Sequence, residues 1–199
     1  MNTREKAKEE RRALIIGAAV TCFIRKGIHQ TGIRDIARQA NVSLGNLYNH
    51  FSGKDALIAE IALLDGLRLE QFAKDLDVSE DPNIAIHKFV DAYLEYVSSA
   101  ENAVLTIDII AESMRNHAIA EQFDVNRQRL VDVLSATIER GKSQGVMRSK
   151  IHIVETVEQL LDAIEGLGLR SGLTGRKPSK KARKTLQDMI FRMLSLSPE

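Results

Sequence analysis

Apolar residues recur every three or four positions along most of this chain, which is the spacing of an amphipathic α-helix. The clearest example begins at Pro82, where Ile86, Phe89 and Tyr93 follow one another at this interval. No alternation of apolar and polar residues lasts long enough to indicate a β-strand. We therefore predict an all-α protein of about nine helices, two of which are short and are considered next. The seven longer helices are predicted at about residues 6–26, 53–76, 82–97, 103–116, 119–144, 151–173 and 180–196.

Two short helices joined by a tight turn are predicted between Thr31 and the start of the fourth helix. Ile36 and Ala40 lie four residues apart on the apolar face of the first short helix. Asn41 follows, and asparagine tolerates the left-handed conformation that ends many helices. Ser43 can then cap the second short helix. This arrangement is typical of a helix-turn-helix, which places its second helix in the major groove of DNA.

The residues of this motif carry a resemblance to a known family. From Ile33 to Leu57 the chain reads I-R-D-I-A-R-Q-A-N-V-S-L-G-N-L-Y-N-H-F-S-G-K-D-A-L, and the preceding helix has an A-A-x-x-x-F-x-x-x-G pattern that ends at Gly27. This stretch resembles the TetR family of bacterial transcriptional regulators. The resemblance implies an N-terminal three-helix helix-turn-helix DNA-binding domain, residues 1–55, joined to a larger helical effector-binding and dimerisation domain, residues 56–199.

The resemblance also identifies the residues that we expect to contact DNA. The N-terminus of the first motif helix can offer backbone N–H groups to a phosphate, and Arg34 can bind a phosphate or a guanine edge. Asn46 and Asn49 can read adenine through their amide groups. The predicted DNA-binding residues are Thr31, Gly32, Arg34, Ser43, Leu44, Gly45, Asn46, Tyr48, Asn49, His50 and Lys54.

Simpler roles stay open for several of these residues. Tyr48 is either a phosphate ligand or a core aromatic residue, and His50 is either a phosphate ligand or a cap at the helix C-terminus. Asn46 and Asn49 are alternatively plain solvated polar residues. Because many relatives carry Thr or Ser where Gly32 stands, one side-chain phosphate contact is absent here, while the backbone contact is expected to remain.

The charge distribution agrees with a DNA-binding N-terminal part. Residues 1–55 carry 10 Lys and Arg against 5 Asp and Glu, whereas residues 56–199 carry 18 against 22. A basic domain suits a polyanion such as DNA. No apolar run approaches the length of a membrane span. The charged N-terminus lacks an apolar signal region, and a single cysteine cannot form an internal disulfide, so we expect a cytoplasmic location.

The C-terminal part is expected to enclose an apolar pocket for a small-molecule effector. Its sixth helix is apolar on most sides, which predicts an interior position. The acidic residues of the sixth and eighth helices favour a cationic lipophilic effector if they face the pocket. The alternatives for these carboxylates are salt bridges with Arg115, Arg127 or Arg129, or solvation. The aromatic and aliphatic candidates are alternatively plain core. The predicted ligand-binding residues are Phe72, Phe89, Tyr93, Tyr96, Asp108, Ile109, Glu112, Phe123 and Asp162.

Helices eight and nine, at about residues 151–173 and 180–196, are expected to form a homodimer interface. Val154, Val157 and Ile164 belong to an apolar stripe along helix eight, and Gly166 is small enough to let another helix approach closely. In helix nine a similar stripe contains Met189. The resembled family pairs these two helices with their symmetry mates, whereas the alternative is that the stripes only cover the core of one subunit.

These observations predict a dimeric transcriptional repressor that a small-molecule effector releases from a palindromic double-stranded DNA operator. The alternatives are an activator of the same family and a helical module that binds another protein. The histidines show no metal-ligand spacing such as HExxH, and the chain has no phosphate-binding loop or nucleophile motif. We therefore expect neither a cofactor, nor a metal, nor a catalytic activity.

Overall fold

The computed structural model describes residues 2–77, 81–148 and 150–194, and these residues form an all-α fold, as predicted. In the described residues no helix is long and apolar enough to cross a membrane. The predicted end of the ninth helix at residue 196 lies outside them. The helices are α1 (Thr3–Lys26), α2 (Ile33–Gln39), α3 (Leu44–Tyr48), α4 (Lys54–Asp77), α5 (Pro82–Val97), α6 (Ala100–Ser113), α7 (His117–Ser143), α8 (Ile153–Thr174) and α9 (Lys180–Leu194).

Local capping explains where several helices begin and end. Helix α1 starts three residues before the predicted position because the Asn2 side chain accepts the Arg4 N–H while the Asn2 N–H donates to Glu5. It ends at Gly27, whose φ of 82° favours glycine. Helix α5 has Pro82 in its first turn, as predicted, and the Asp81 side chain accepts two backbone N–H groups there.

The described residues form two compact units, and the chain passes between them inside α4, α6 and α7. The first unit comprises residues up to Asp65 together with Leu105–Phe123, and the second comprises Gly66–Val104 and the residues from Asp124 onward. These units are defined by contacts and not by function. The functional division between residues 1–55 and 56–199 therefore stays a prediction.

The first unit is built around one apolar cluster. Phe23 of α1, Ile36 of α2 and Leu47 of α3 are each fully buried in it. Ile109 from α6 and Ile119 from α7 belong to the same cluster. The three N-terminal helices thus share their core with a segment that begins almost sixty residues after α3 in the chain.

The second unit is centred on α5, which contacts both α8 and α9. Its core includes Ile86 of α5, Leu134 of α7, Leu161 of α8 and Ile190 of α9, all fully buried. Ion pairs from Glu95 of α5 to Lys177 and Arg183 reinforce the attachment of α9.

The predicted interior position of the sixth helix is wrong for much of its length. Ile110 is 51% exposed, and Met114, which follows the last residue of α6 within the predicted range, is 81% exposed, although Ile109 directly before Ile110 is buried. The helix therefore buries one side only. An almost continuous run of apolar residues does not reveal which of its sides has a neighbour, since burial depends on the elements packed against it.

Candidate nucleic-acid interface

The turn between α2 and α3 forms as the local signals predict. Asn41 adopts a left-handed conformation with φ of 52°, and the next residue, Val42, donates its N–H to the carbonyl of Ala37 at 3.0 Å. Ser43 caps α3, with its hydroxyl oxygen accepting the Asn46 N–H at 3.1 Å. The chain therefore reverses within a few residues and starts a second helix at a fixed angle to the first.

Helix α3 is only five residues long and is anchored by one side chain. Leu47 is fully buried among the apolar residues of the first unit. Tyr48 next to it is 51% exposed, so it is not a core aromatic residue. A helix this short makes few hydrogen bonds of its own, and its orientation is set by Leu47, the Ser43 cap and side chains from other helices.

The candidate DNA-binding residues differ in how far they reach the surface. Thr31 is buried at 2% exposure. Leu44, Asn46, His50 and Lys54 are half-buried. The exposed candidates are Gly32, Arg34, Ser43, Gly45, Tyr48 and Asn49.

The hydroxyl of Thr31 is occupied by the fold. It donates to the carbonyl of Gly27 at 2.7 Å, with the carbonyl of Cys22 at 3.3 Å. A hydroxyl has one proton, and the bond to Gly27 uses it. This bond joins the start of α2 to the end of α1. This geometry argues against a phosphate contact through the Thr31 side chain.

The start of α2 already holds an anion, the carboxylate of Asp35. This carboxylate accepts the Gly32 N–H at 3.2 Å and pairs with the Lys26 ammonium at 3.0 Å. The hydrogen bond from Lys26, with that from Gly32, lowers the pKa of Asp35 below its ordinary value. The sequence analysis treated the Gly32 N–H as free. A DNA phosphate at this helix end would have to replace Asp35 as the partner of that N–H.

The two asparagines present their amides differently. Asn49 is exposed, whereas the Asn46 Oδ1 is buried with no hydrogen-bond partner among the described residues. Reading adenine requires both the oxygen and the nitrogen of the amide to face the base edge. Asn49 is therefore ready for this contact in the free protein, while Asn46 has to rotate its side chain first.

Two further side chains tie the motif to its neighbours. The ammonium of Lys54 donates to the carbonyl of Ile28 at 2.8 Å, which leaves it further protons for a phosphate. Arg12 of α1 donates to the carbonyl of His50 at 3.1 Å. Sequence reasoning missed Arg12, because its partners lie 38 and 48 residues away and no local pattern indicates such pairs.

A small open cleft of about 220 Å³ lies between α1 and α2 in the same unit. Cys22 is one of the residues that line it, and burial raises the pKa of the Cys22 thiol. A protonated thiol is a poor nucleophile and a poor metal ligand. In the described part of the chain, no group of three or more His, Cys, Asp or Glu side chains is arranged to hold a metal ion.

Comparison with known proteins agrees with this geometry. Residues 15–61 match the model of bacterial regulatory proteins of the tetR family, and residues 82–195 match the C-terminal domain of BetI-type transcriptional repressors. The second match alone spans more than half of the chain. The chain belongs to the TetR family.

Individual relatives support the same assignment. UidR of Escherichia coli K12, an HTH-type transcriptional regulator, is 27% identical over 173 residues, which are 84% of each chain. Salmonella enterica GusR shares the fold with a TM-score of 0.79 at 24% identity, covering 92% of this chain and 95% of its own. A transcriptional regulator from Saccharomonospora viridis in complex with choline has a TM-score of 0.80 at 24% identity, covering 94% and 99%. This TetR-family protein is thus a DNA-binding transcriptional regulator.

The second unit of this TetR-family protein brings four of the predicted effector residues together. Phe72 lies at the centre of the aromatic group, with ring centroids 5.8 Å from both Tyr93 and Tyr96 and 6.2 Å from Phe89. Phe89 and Tyr93 are almost completely buried, whereas Phe72 and Tyr96 are half-buried. The four rings form one connected group, named here the aromatic cluster.

An ion-pair network adjoins this cluster. The Tyr93 hydroxyl donates to Glu165 at 2.8 Å, and Arg127 of α7 donates to Glu165 and to Asp162, each at 2.6 Å. Burial lowers the pKa of Arg127, but the carboxylates of Glu165 and Asp162 outweigh burial and raise it. Asp162 and Glu165 are therefore both paired with Arg127, which is the salt-bridge alternative given in the sequence analysis.

The other four effector candidates belong to the first unit. Ile109 is 8% exposed in the core of that unit, and Phe123 packs against the same core. Asp108 lies beside Gly27, its carboxylate oxygen 3.5 Å from where a β-carbon on that glycine would be. Glu112 is half-buried in the same segment. The nine candidates are thus divided between two units, which their order in the sequence did not indicate.

Proposed function

We propose that this TetR-family regulator is a dimeric repressor that a small-molecule effector releases from a palindromic DNA operator. The exposed side of α3 carries this proposal, because Tyr48 and Asn49 face outward while Leu47 anchors the helix from below. The match of the C-terminal region to BetI-type repressors supports repression rather than activation.

Arg34, Tyr48 and Asn49 are proposed as the principal DNA contacts. Arg34 is exposed in the first turn of α2 and suits a phosphate or a guanine edge. The Tyr48 hydroxyl suits a phosphate, and the Asn49 amide suits adenine. Gly45, exposed and without a side chain, lets the backbone of α3 come close to the groove. Secondary contacts are proposed for Gly32, Ser43, Leu44, Asn46, His50 and Lys54.

Selection of genomic fragments with the purified protein, followed by binding assays in a salt series, tests the DNA-binding proposal. A palindromic site is expected, with an affinity that falls steeply as salt rises because phosphate contacts release counterions. Asn49→Ala should weaken specific binding by about 1–3 kcal/mol, whereas Gln122→Ala, which removes an exposed amide from α7, should bind as the wild type does. Absence of any enriched site would favour a protein-binding module instead.

Helices α8 and α9 are proposed as the dimer interface, through a face that differs from the predicted stripe. Val157 and Ile164 are completely buried within one subunit, so they cannot meet a symmetry mate. On another side of α8, Gly166 has open space around it and Leu173 is 72% exposed, while Met189 of α9 is 43% exposed. Burial of these apolar side chains would stabilise a dimer.

Sedimentation velocity tests this interface. Leu173→Lys is expected to shift the protein towards monomer, since it introduces an unpaired charge into an apolar contact. Met114→Lys serves as the matched control because Met114, directly after α6, is exposed to a similar degree, at 81%. A dimer that survives Leu173→Lys and dissociates on Met114→Lys would locate the interface elsewhere.

The aromatic cluster is the proposed contact surface for the effector. Aromatic faces attract cations, and the structurally similar Saccharomonospora viridis regulator is in complex with choline. Since Arg127 already pairs with Asp162 and Glu165, the cluster itself and not the neighbouring carboxylates would attract a quaternary ammonium group. Roles for Asp108, Ile109, Glu112 and Phe123 in effector contact remain predictions from the sequence.

Operator release measured during titration with choline, and with tetramethylammonium as a minimal cation, tests the effector class. If the effector favours the DNA-free state, bound DNA must weaken effector binding by the same factor. Tyr96→Leu should reduce the response to either cation without changing operator affinity in their absence. An unchanged response in Tyr96→Leu would exclude the aromatic cluster as the cation-binding surface.

A further inference from the structure

We propose that Arg12 is a positioning residue for DNA binding, which holds the end of the recognition helix α3 in place through the His50 carbonyl, Glu60 and the Phe51 ring. This inference rests on the DNA-binding function proposed above. Arg12 lies in α1, outside the helix-turn-helix segment, and none of its three partners is close to it in sequence.

The guanidinium of Arg12 contacts all three partners at once. Its Nη1 donates to the His50 carbonyl at 3.1 Å, and its Nε donates to Glu60 Oε1 at 3.2 Å. Its Nη2 donates to Glu60 Oε2 at 2.5 Å. The plane of the guanidinium lies over the Phe51 ring, with its carbon 4.4 Å from the ring centroid. The hydrogen bond to Glu60 raises the pKa of Arg12.

This contact meets a specific need of α3. The last carbonyl groups of a helix have no partner inside the helix, and a five-residue helix has almost nothing but ends. Leu47 already supplies the carbonyl that accepts both the His50 and the Phe51 N–H. The charge of Arg12 suits the partial negative charge at this helix end. Phe51 is 3% exposed beneath it, so the segment is fixed from two sides.

The same contact joins the recognition helix to α4. Glu60 lies in the part of α4 that belongs to the first unit, six residues before the helix enters the second unit at Gly66. The side chains of Arg12 and Glu60 are 31% and 20% exposed, so this pair is screened less than a surface ion pair. A lysine has only one ammonium group and cannot reproduce the bidentate contact while donating to a carbonyl.

Four variants of the full-length protein test the inference on the selected operator fragment and on an unrelated fragment of the same length. Arg12→Gln removes the charge and the bidentate contact with Glu60, and Arg12→Lys keeps the charge alone. Glu60→Gln keeps Arg12 but weakens the ion pair that holds it. Arg11→Gln removes an exposed charge from the neighbouring position and is the matched control. Circular dichroism melts establish the folded fraction of each variant.

We expect Arg12→Gln to weaken operator binding by roughly tenfold relative to Arg11→Gln, as expected for loss of hydrogen bonds to charged groups. Arg12→Lys should recover only part of this loss, and Glu60→Gln should share it. Binding to the unrelated fragment and the salt dependence should match those of Arg11→Gln, since positioning adds no phosphate contact. Equal affinity of all four variants for the operator would overturn the inference. A salt slope reduced by about 0.9 in Arg12→Gln alone would instead identify a direct phosphate contact and overturn it too.

Amide hydrogen exchange without DNA provides a readout that does not depend on the proposed function. Arg12→Gln and Glu60→Gln should speed the exchange of the His50 and Phe51 amides, whereas Arg11→Gln should not. Failure of the wild-type protein to bind any fragment would refute the operator proposal, and these exchange rates would still decide whether Arg12 fixes α3. Unchanged exchange in both variants would refute that role.

Discussion

Replacement of Arg127 by Met tests whether this side chain stabilises the second unit by pairing with the carboxylates of Asp162 and Glu165 in α8. Arg127 and Glu165 are 30% and 29% exposed at the side chain, whereas Asp162 is 70% exposed. Both carboxylates accept from Arg127 at 2.6 Å. Distance therefore does not separate the two pairs, but solvent exposure does.

The exposure difference sets the expected magnitudes. A hydrogen bond to a charged group in half-buried surroundings contributes about 1.5–2 kcal/mol, which we assign to the Arg127–Glu165 pair. An exposed ion pair contributes below about 0.5 kcal/mol, which we assign to Asp162. We therefore expect Arg127→Met to cost about 2 kcal/mol of unfolding free energy and Asp162→Asn less than about 0.5 kcal/mol. For a chain of this size, 2 kcal/mol corresponds to a fall in Tm of about 4–8 °C.

Urea unfolding followed by circular dichroism at neutral pH measures these differences. Protein concentration must be held constant, since subunit association contributes to apparent stability. The double variant Arg127→Met with Glu165→Gln should cost less than the sum of the single changes, because both remove one interaction. A cost for Asp162→Asn equal to that of Arg127→Met, or additive effects of the Arg127 and Glu165 changes, would refute the reasoning.

Three other predictions concern packing and pH. Gly172→Ala should destabilise the protein by about 1–3 kcal/mol in urea unfolding, because the new methyl group would overlap Ala103, whereas Gly17→Ala, at an exposed position of α1 with open space around it, should be neutral or stabilising. Ile109→Ala should lower stability by about 2–3 kcal/mol, since Ile109 is core; a Tm equal to that of the wild type would contradict this. Asp35 has a lowered pKa, so the Tm advantage of the wild type over Asp35→Asn should be complete at pH 7 and disappear as the pH falls below about 4; an advantage that persists in acid would exclude this carboxylate as its source.

The helix-turn-helix was predictable because its signals are local. The left-handed Asn41 and the Ser43 cap act on their own backbone neighbours, and Leu47 has the spacing that buries it. Each of these effects extends over four residues or fewer. The same is true of Gly27 at the end of α1. Such features are specified by short stretches of sequence, whatever the rest of the chain does.

The partners of apolar stripes were not predictable in the same way. The spacing of Val157 and Ile164 correctly indicates that one side of α8 is covered, but it does not indicate what covers it. In the structure α5 packs on this side, with Gly168 of α8 next to Val97. Gly168 thus admits a helix of the same chain, whereas Gly166, which suggested a close approach by a second subunit, has open space around it. The side that we propose for a partner subunit instead carries the exposed Leu173 and Met189.

The shared core of the first unit changes what an effector response requires. Ile109 and Ile119 complete the cluster that also holds Leu47, the only anchor of α3 that is completely buried among the described residues. Since packed cores respond to displacement of any member, a shift of residues 105–123 would disturb the support of the recognition helix. These residues lie in α6 and α7, helices that continue into the unit containing the aromatic cluster. A change in either helix can therefore reach α3 through apolar packing alone, without a ligand that touches the DNA-binding residues.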